Sequence, residues 1–325
     1  MKHGSMRSLA LFAALVIALH AATAAAQQQG AFPSRPVRLI VANAPGTGPD
    51  SVARLLAARL SENWGQQIVI DNRPGATGLI AAETVANAVP DGYTLWLPTM
   101  THLVATLQAQ RFPLTKDFTP IMMVGATVMV VVVSASLPVK SMAELIALAK
   151  SRPGQLTFGS GGAFGSPHLC MESIKSMAGI DMLHVPYKGT PQALTDLIAG
   201  RLDASCLAVT GLPLAFVQSG KMRTLAATSL TPSRLTPGVP TVSEVIPGFQ
   251  LLGWYALQGP PKMPRPLVMK INADVEKVLK SAEFQEKLFA LGGEPTPSTP
   301  DEFGAFLQKE SARWEKALRQ LGGIQ

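Results

Sequence analysis

Apolar residues in this chain fall into short runs separated by stretches in which they recur every three to four positions. The run at 37–42, broken only by Arg38, precedes 49–60, where Val52, Leu55, Leu56 and Leu60 share one helical face. Short runs at 68–70 and 93–97 enclose a helical pattern at 80–88, and this alternation predicts a mostly parallel sheet with helices on its faces. Segment 124–133 is apolar, rich in β-branched residues and too short to cross a bilayer, which predicts a buried strand passing between two lobes. The alternation then restarts, with helices at 141–150, 167–177 and 191–199 and strands at 156–158, 182–185 and 203–209. A strand at 251–257 around Trp254 brings the chain back, and helices at 267–281, 282–291 and 300–321 complete it. The pattern predicts a hinged α/β protein. Lobe 1 is residues 27–126 and 253–325 and lobe 2 is 127–252, each a mixed sheet flanked by helices, with two crossing strands as the hinge.

Two glycine-rich loops sit where a strand pattern gives way to a helix: Ala44-Pro45-Gly46-Thr47-Gly48-Pro49-Asp50 and Gly159-Ser160-Gly161-Gly162-Ala163-Phe164-Gly165-Ser166-Pro167. Glycine leaves backbone N–H groups unobstructed, and a helix start adds orphan donors and a positive dipole end, so each loop is a candidate anion cradle. The second loop is neither a dinucleotide fingerprint, since Phe164 stands where the third glycine belongs, nor a phosphate loop, since no Lys-Ser/Thr follows. A structural turn is the alternative for either loop alone. Ser166 and His168 are two apart at a helix start and point in different directions, and no Gly-x-Ser-x-Gly elbow occurs, which argues against a hydrolase. His168 and Glu172 have i,i+4 spacing but lack a third ligand for a metal, so an ion pair or an N-terminal hydrogen bond suits His168 better. Tyr187 either lines the cleft or packs its loop. Asp50 has the position of a helix cap, and Trp254 reads as core.

The N-terminal stretch has a basic start, an apolar run at 9–19 and Ala24-Ala25-Ala26 before Gln27, the pattern of a secretory signal cleaved near Ala26. Cleavage would remove Lys2 and Arg7 and lower the formal charge from +7 to +5. The basic residues are scattered, which argues against nucleic-acid binding and is compatible with attraction of small anions. Cys170 and Cys206 are the only cysteines; they pair in an oxidising compartment or remain two buried thiols.

Taken in order, Arg35-Pro36-Val37-Arg38-Leu39-Ile40-Val41, Ala44-Pro45-Gly46 with Asp50, Asp71-Asn72-Arg73-Pro74-Gly75-Ala76, Pro90-Asp91-Gly92-Tyr93-Thr94-Leu95, Asp117-Phe118-Thr119-Pro120-Ile121, Gly165-Ser166 with His168-Leu169, and His184-Val185-Pro186-Tyr187-Lys188-Gly189 resemble the receptors of tripartite tricarboxylate transporters, the Bug-type periplasmic solute-binding proteins. The resemblance implies a periplasmic-binding-protein-like Venus flytrap of type II that captures a small organic carboxylate and delivers it to membrane permease subunits. It implies no cofactor and no metal, a periplasmic location, and a monomer by default. The ligand contacts it implies are Pro45, Gly46, Thr47, Gly48, Asp50, Thr99 and Thr101 in lobe 1 and Ser160, Gly165, Ser166, Tyr187 and Asp203 in lobe 2; Asn43 and His168 complete the candidate set. Asn43 departs from the family's usual aromatic there, and its amide suggests a more polar or more substituted ligand. The alternative function is carboxylate sensing with output to a membrane kinase.

Overall fold

The computed structural model describes residues 32–209 and 214–324; the expectation of a leader at 1–26 lies outside them. In chain order the strands and α-helices are β1 (Val37–Val41), α1 (Gly48–Trp64), β2 (Ile68–Asn72), α2 (Leu79–Ala86), β3 (Thr94–Trp96), α3 (Met100–Ala109), β4 (Thr119–Ser134), α4 (Met142–Ser151), β5 (Thr157–Ser160), α5 (Ser166–Ala178), β6 (Leu183–Pro186), α6 (Thr190–Ile198), β7 (Ala204–Ala208), α7 (Leu214–Gln218), β8 (Met222–Ala227), β9 (Leu252–Gly259), α8 (Arg265–Leu279), α9 (Ala282–Ala290), β10 (Glu294–Pro295) and α10 (Pro300–Gln320). Local chemistry explains several boundaries. Pro49, Pro167 and Pro191 sit in the first turns of α1, α5 and α6, where their missing N–H costs nothing, and Gly65 and Gly179 end α1 and α5 in the left-handed region.

The strands form one mixed sheet in the order β2-β1-β3-β9-β4-β7-β5-β6, with β8 and β10 also paired to β4. The β1–β2, β1–β3, β5–β6 and β5–β7 pairs are parallel, whereas β4 runs antiparallel to β7, β8 and β9. The 16-residue β4 is longer than the 124–133 run that announces it, and it joins the two ends of the sheet by pairing with β9 and then with β7 and β8. Both faces are covered. Val37, Leu39 and Val41 of β1 pack with Val52 and Leu56 of α1 and Ile271 and Val275 of α8, while Ile40 joins Trp96, Leu103 and Phe303 on the other side. A disulfide joins Cys170 of α5 to Cys206 of β7, resolving the alternative that the spacing left open.

Four elements had no expectation in the sequence pattern: α3, α7, β8 and the two-residue β10. α3 occupies 100–109, where Met100, Leu103, Val104 and Ala105 are buried together with His102 and Thr106, so a helix packed on most of its surface shows little polar face to reveal its period. β8 follows Lys221 and pairs with β4.

Candidate functional site

A cleft of about 470 Å³ opens at the carboxyl ends of β1, β3, β5 and β6, where the helices that follow them begin, the usual place for a ligand in an open α/β sheet. Its lining falls into two sets. Thr47, Gly48 and Pro49 come from the start of α1, Thr99, Met100 and Thr101 from α3, Ser166 and Pro167 from α5, and Thr190 from α6. Thr127 and Met129 of β4, Leu207 and Ala208 of β7, and Gly253, Trp254 and Tyr255 of β9 form the floor, with Asn43 beside the first loop.

Four helix N-termini therefore border one cavity. The N-cap residues of α1, α5 and α6 are Thr47, Gly165 and Gly189, and none makes a side-chain capping bond, so first-turn N–H donors stay unclaimed by side chains of the caps. In α3 the His102 ring accepts the Thr99 N–H through Nδ1 at 3.0 Å. Burial pushes the His102 pKa down to about 4, keeping that ring a neutral acceptor. Thr101 Oγ1 and Ser166 Oγ lie 3.2 Å apart and hydrogen-bond, linking the α3 and α5 starts directly. No charged side chain lines the cleft among the described residues.

Of the candidates from sequence, Asn43, Thr47, Gly48, Thr99, Thr101 and Ser166 line the cleft. Pro45, Gly46, Asp50, Ser160, Gly165, His168, Tyr187 and Asp203 do not, and most have other partners. Asp50 is not the cap. It sits in the first turn of α1 with only 1% exposed, accepting from Gly46 N–H at 2.8 Å, Arg54 Nε at 2.9 Å and Asn72 Nδ2 at 2.9 Å. Burial alone would raise its pKa, but those hydrogen bonds and the Arg54 charge outweigh it and hold the carboxyl below the ordinary carboxylate value. The carboxylate thus fastens the first loop to β2. Gly46 holds a left-handed φ of +80°, and a Cβ there would meet no protein atom within 4 Å.

Ser160 Oγ donates to Gly162 O at 2.8 Å and hydrogen-bonds His184 Nε2 at 2.7 Å, shaping the second loop from behind. His168 stacks on His184 with ring centroids 3.8 Å apart, and its Nδ1 accepts the Phe164 N–H at 2.8 Å. Burial, with Lys175 nearby, pushes the His168 pKa to about 4; burial, His168 and Lys175 outweigh the opposing Glu172 charge and do the same for His184. Neutral His168 therefore makes no ion pair with Glu172 at 3.8 Å; the N-terminal hydrogen bond is its role, and Ser166 gains no base from it. Tyr187 donates from its hydroxyl to Asp196 Oδ2 at 2.6 Å and packs its loop against α6. Asp203 precedes β7 at the end opposite to Ala208 and accepts from Thr157 N–H at 2.7 Å and Thr157 Oγ1 at 3.0 Å. Nothing in the sequence pointed to Met100, Thr127, Met129, Thr190, Leu207, Ala208, Gly253 or Tyr255, and Trp254, read as core, is both buried and part of the floor.

Among the described residues no group of three or more His, Cys, Asp and Glu side chains is placed to hold a metal ion, and no helix is long and apolar enough to cross a membrane. Residues 52–323 match the family model described as the tripartite tricarboxylate transporter family receptor. Protein BugT of Bordetella pertussis is 32% identical over 298 residues, covering 90% of each chain. The structure of Rpa4515 of R. palustris with adipate is 33% identical with a TM-score of 0.76, covering 90% of this chain and 98% of that one. MatC of Rhodopseudomonas palustris with bound malate is 30% identical with a TM-score of 0.73, covering 88% and 99%. The fold is accordingly α/β and periplasmic-binding-protein-like.

Proposed function

The chain belongs to the tripartite tricarboxylate transporter receptor family, and from that premise we propose that it is an exported periplasmic receptor that closes on a small organic carboxylate and hands it to membrane permease subunits. The observation that carries the proposal is the convergence of four helix N-termini on a cleft that no acidic side chain lines among the described residues. First-turn N–H groups that the caps of α1, α5 and α6 leave unclaimed, together with the positive dipole ends, favour an anion, and the hydroxyls of the Thr101–Ser166 pair and of Thr190 add donors, whereas the Thr47 hydroxyl already donates to Ala44 O. Adipate and malate in the two structural neighbours support a carboxylate as the anion.

In this reading residues 27–126 and 253–325 move as one lobe and 127–252 as the other, with β4 and β9 as the hinge. The register pairs Thr127 with Gly253, the positions at which the two lobes meet, and both border the cleft. Ligand contacts come from Thr47, Gly48, Thr99, Thr101 and Ser166, with Asn43 at the side, while Gly46, Asp50, Ser160, Gly165 and His168 hold the loops in shape. The monomeric receptor's output is closure, and delivery follows from recognition of the closed form.

Thermal unfolding against mono-, di- and tricarboxylates tests the proposal. A ligand specific to the native state raises stability as RT ln(1 + [L]/Kd), so one chemical class should raise Tm by several degrees. A flat response across the panel from protein freed of retained ligand overturns the carboxylate reading.

A further inference from the structure

We propose that the ligand of this cleft is a carboxylate carrying a single negative charge on an uncharged, apolar body. The inference rests on the receptor reading above. The two sets of lining residues offer chemistry of opposite kinds. The helix starts supply N–H and hydroxyl donors, enough to hold one carboxylate. The floor supplies Met129, Leu207, Ala208, Gly253 and Trp254 with the hydroxyl-bearing Thr127 and Tyr255, and Met100 alongside; the Asn43 amide stands beside the first loop, so the polarity it suggests falls at the carboxylate end of the ligand.

A second carboxylate lying over that floor would be taken out of water with nothing to pair with. No Lys, Arg or His lines the cleft among the described residues, and the exposed Lys188 near the start of α6 is outside the lining. The floor's polar groups are already engaged or out of reach. The Thr127 hydroxyl donates to Gly292 O at 2.7 Å, so it has no proton for a carboxylate; Tyr255 is engaged in a contact of its own; and Trp254 Nε1, although without a hydrogen-bond partner among the described residues, lies buried beneath the cleft surface. Unpaired burial of a charge is strongly unfavourable, whereas covering the floor with a hydrocarbon chain or ring releases water from apolar surface. At about 470 Å³ the cleft has room for a body larger than the carboxylate group itself. Gly253 and Ala208 keep that floor low, because a Cβ on Gly253 would already lie 2.7 Å from Thr127 Cγ2.

Hexanoate and adipate are a matched pair for the test, with the same six carbons and a methyl in place of the far carboxylate. Calorimetric titration of the purified protein at pH 7.5 should give hexanoate at least tenfold tighter than adipate. Ala208→Arg, which adds a cation at the floor, should narrow or reverse that gap. Adipate or a tricarboxylate binding as tightly as hexanoate overturns the single-charge inference and leaves the carboxylate receptor standing. Absence of binding by every carboxylate in the panel removes the receptor reading and the inference with it. The comparison in the unmutated protein decides the question should Ala208→Arg not fold.

Discussion

Replacing Asp50 by Ala separates a residue that shapes the first loop from one that touches the ligand. The carboxylate accepts three hydrogen bonds, from Gly46 N–H, Arg54 Nε and Asn72 Nδ2, while itself 1% exposed. A hydrogen bond to a charged group contributes about 1.5–3 kcal/mol. Arg54 has 54% of its side chain exposed and regains water, so the loss comes mainly from the other two bonds. The expected cost is therefore ~3–5 kcal/mol at pH 7, read as a lower urea midpoint with unchanged slope. Asp50→Asn keeps an acceptor but brings donors toward Gly46 N–H and Asn72, and should fall between the two proteins. Because the native carboxyl pKa is depressed, the charge-linked part of its contribution is present above the unfolded-state value of about 4 and is lost as pH falls through the lower native value, so the difference between Asp50→Ala and the unmutated protein should narrow toward that acidic limit. Calorimetric affinity, measured with whichever carboxylate raises Tm, should fall together with stability. Loss of affinity at unchanged stability would place Asp50 against the ligand and refute the scaffolding argument.

Acid should destabilise the fold through its buried histidines. His102, with a native pKa of about 4 against about 6.5 unfolded, costs nothing above pH 6.5; as pH falls between those values the unfolded chain takes up the proton first, a loss of ~3 kcal/mol at completion, and urea midpoints at pH 7.5 and 4.5 measure it. The stacked His168 and His184 act in the same direction on stability, whereas in the folded protein the Nδ1 acceptor for Phe164 N–H is lost, and carboxylate binding weakened, only as pH falls through about 4. Cys170→Ala with Cys206→Ala opens a loop of sequence separation 36 and should lower unfolding free energy by ~4 kcal/mol in chemical denaturation. Gly161→Ala places a Cβ 2.8 Å from Thr190 N and Oγ1 and should displace the start of α6, weakening binding at least tenfold; Gly46→Ala meets open space and should cost only ~1 kcal/mol of backbone strain with affinity preserved.

The strand-loop-helix units were legible because each carries its own punctuation, such as the Pro49 and Pro167 that open helices after glycine-rich turns. Thr47 and Ser166 lie in the two loops that the pattern marks, whereas Thr101, on a helix the pattern did not announce, was indicated only by the family resemblance. Asp203, a contact that only the resemblance implied, stands at the amino end of its strand and binds Thr157 away from the cleft, which lies at the carboxyl ends. Tyr187 was left between two roles that only its distance to Asp196 decides. The floor was invisible for a different reason. Met129, Leu207 and Trp254 have the composition of a core, and their shared surface exists only after β4 pairs with β7, 71–79 positions away in sequence, and with β9, 124–140 positions away.

The length of β4 bears on how receptors of this plan can be recombined. One unbroken strand supplies hydrogen-bond partners to β9 near its start and to β7 and β8 near its end. Neither half of the sheet can be excised as a gene segment bounded by loops, since every such cut leaves the remaining half with an orphaned strand edge. Chimaeras between related receptors should accordingly assemble when their crossovers fall within the paired strands β4 and β9, keeping register on both sides, and fail when they fall in the neighbouring loops. The unit of inheritance in this fold is the whole sheet.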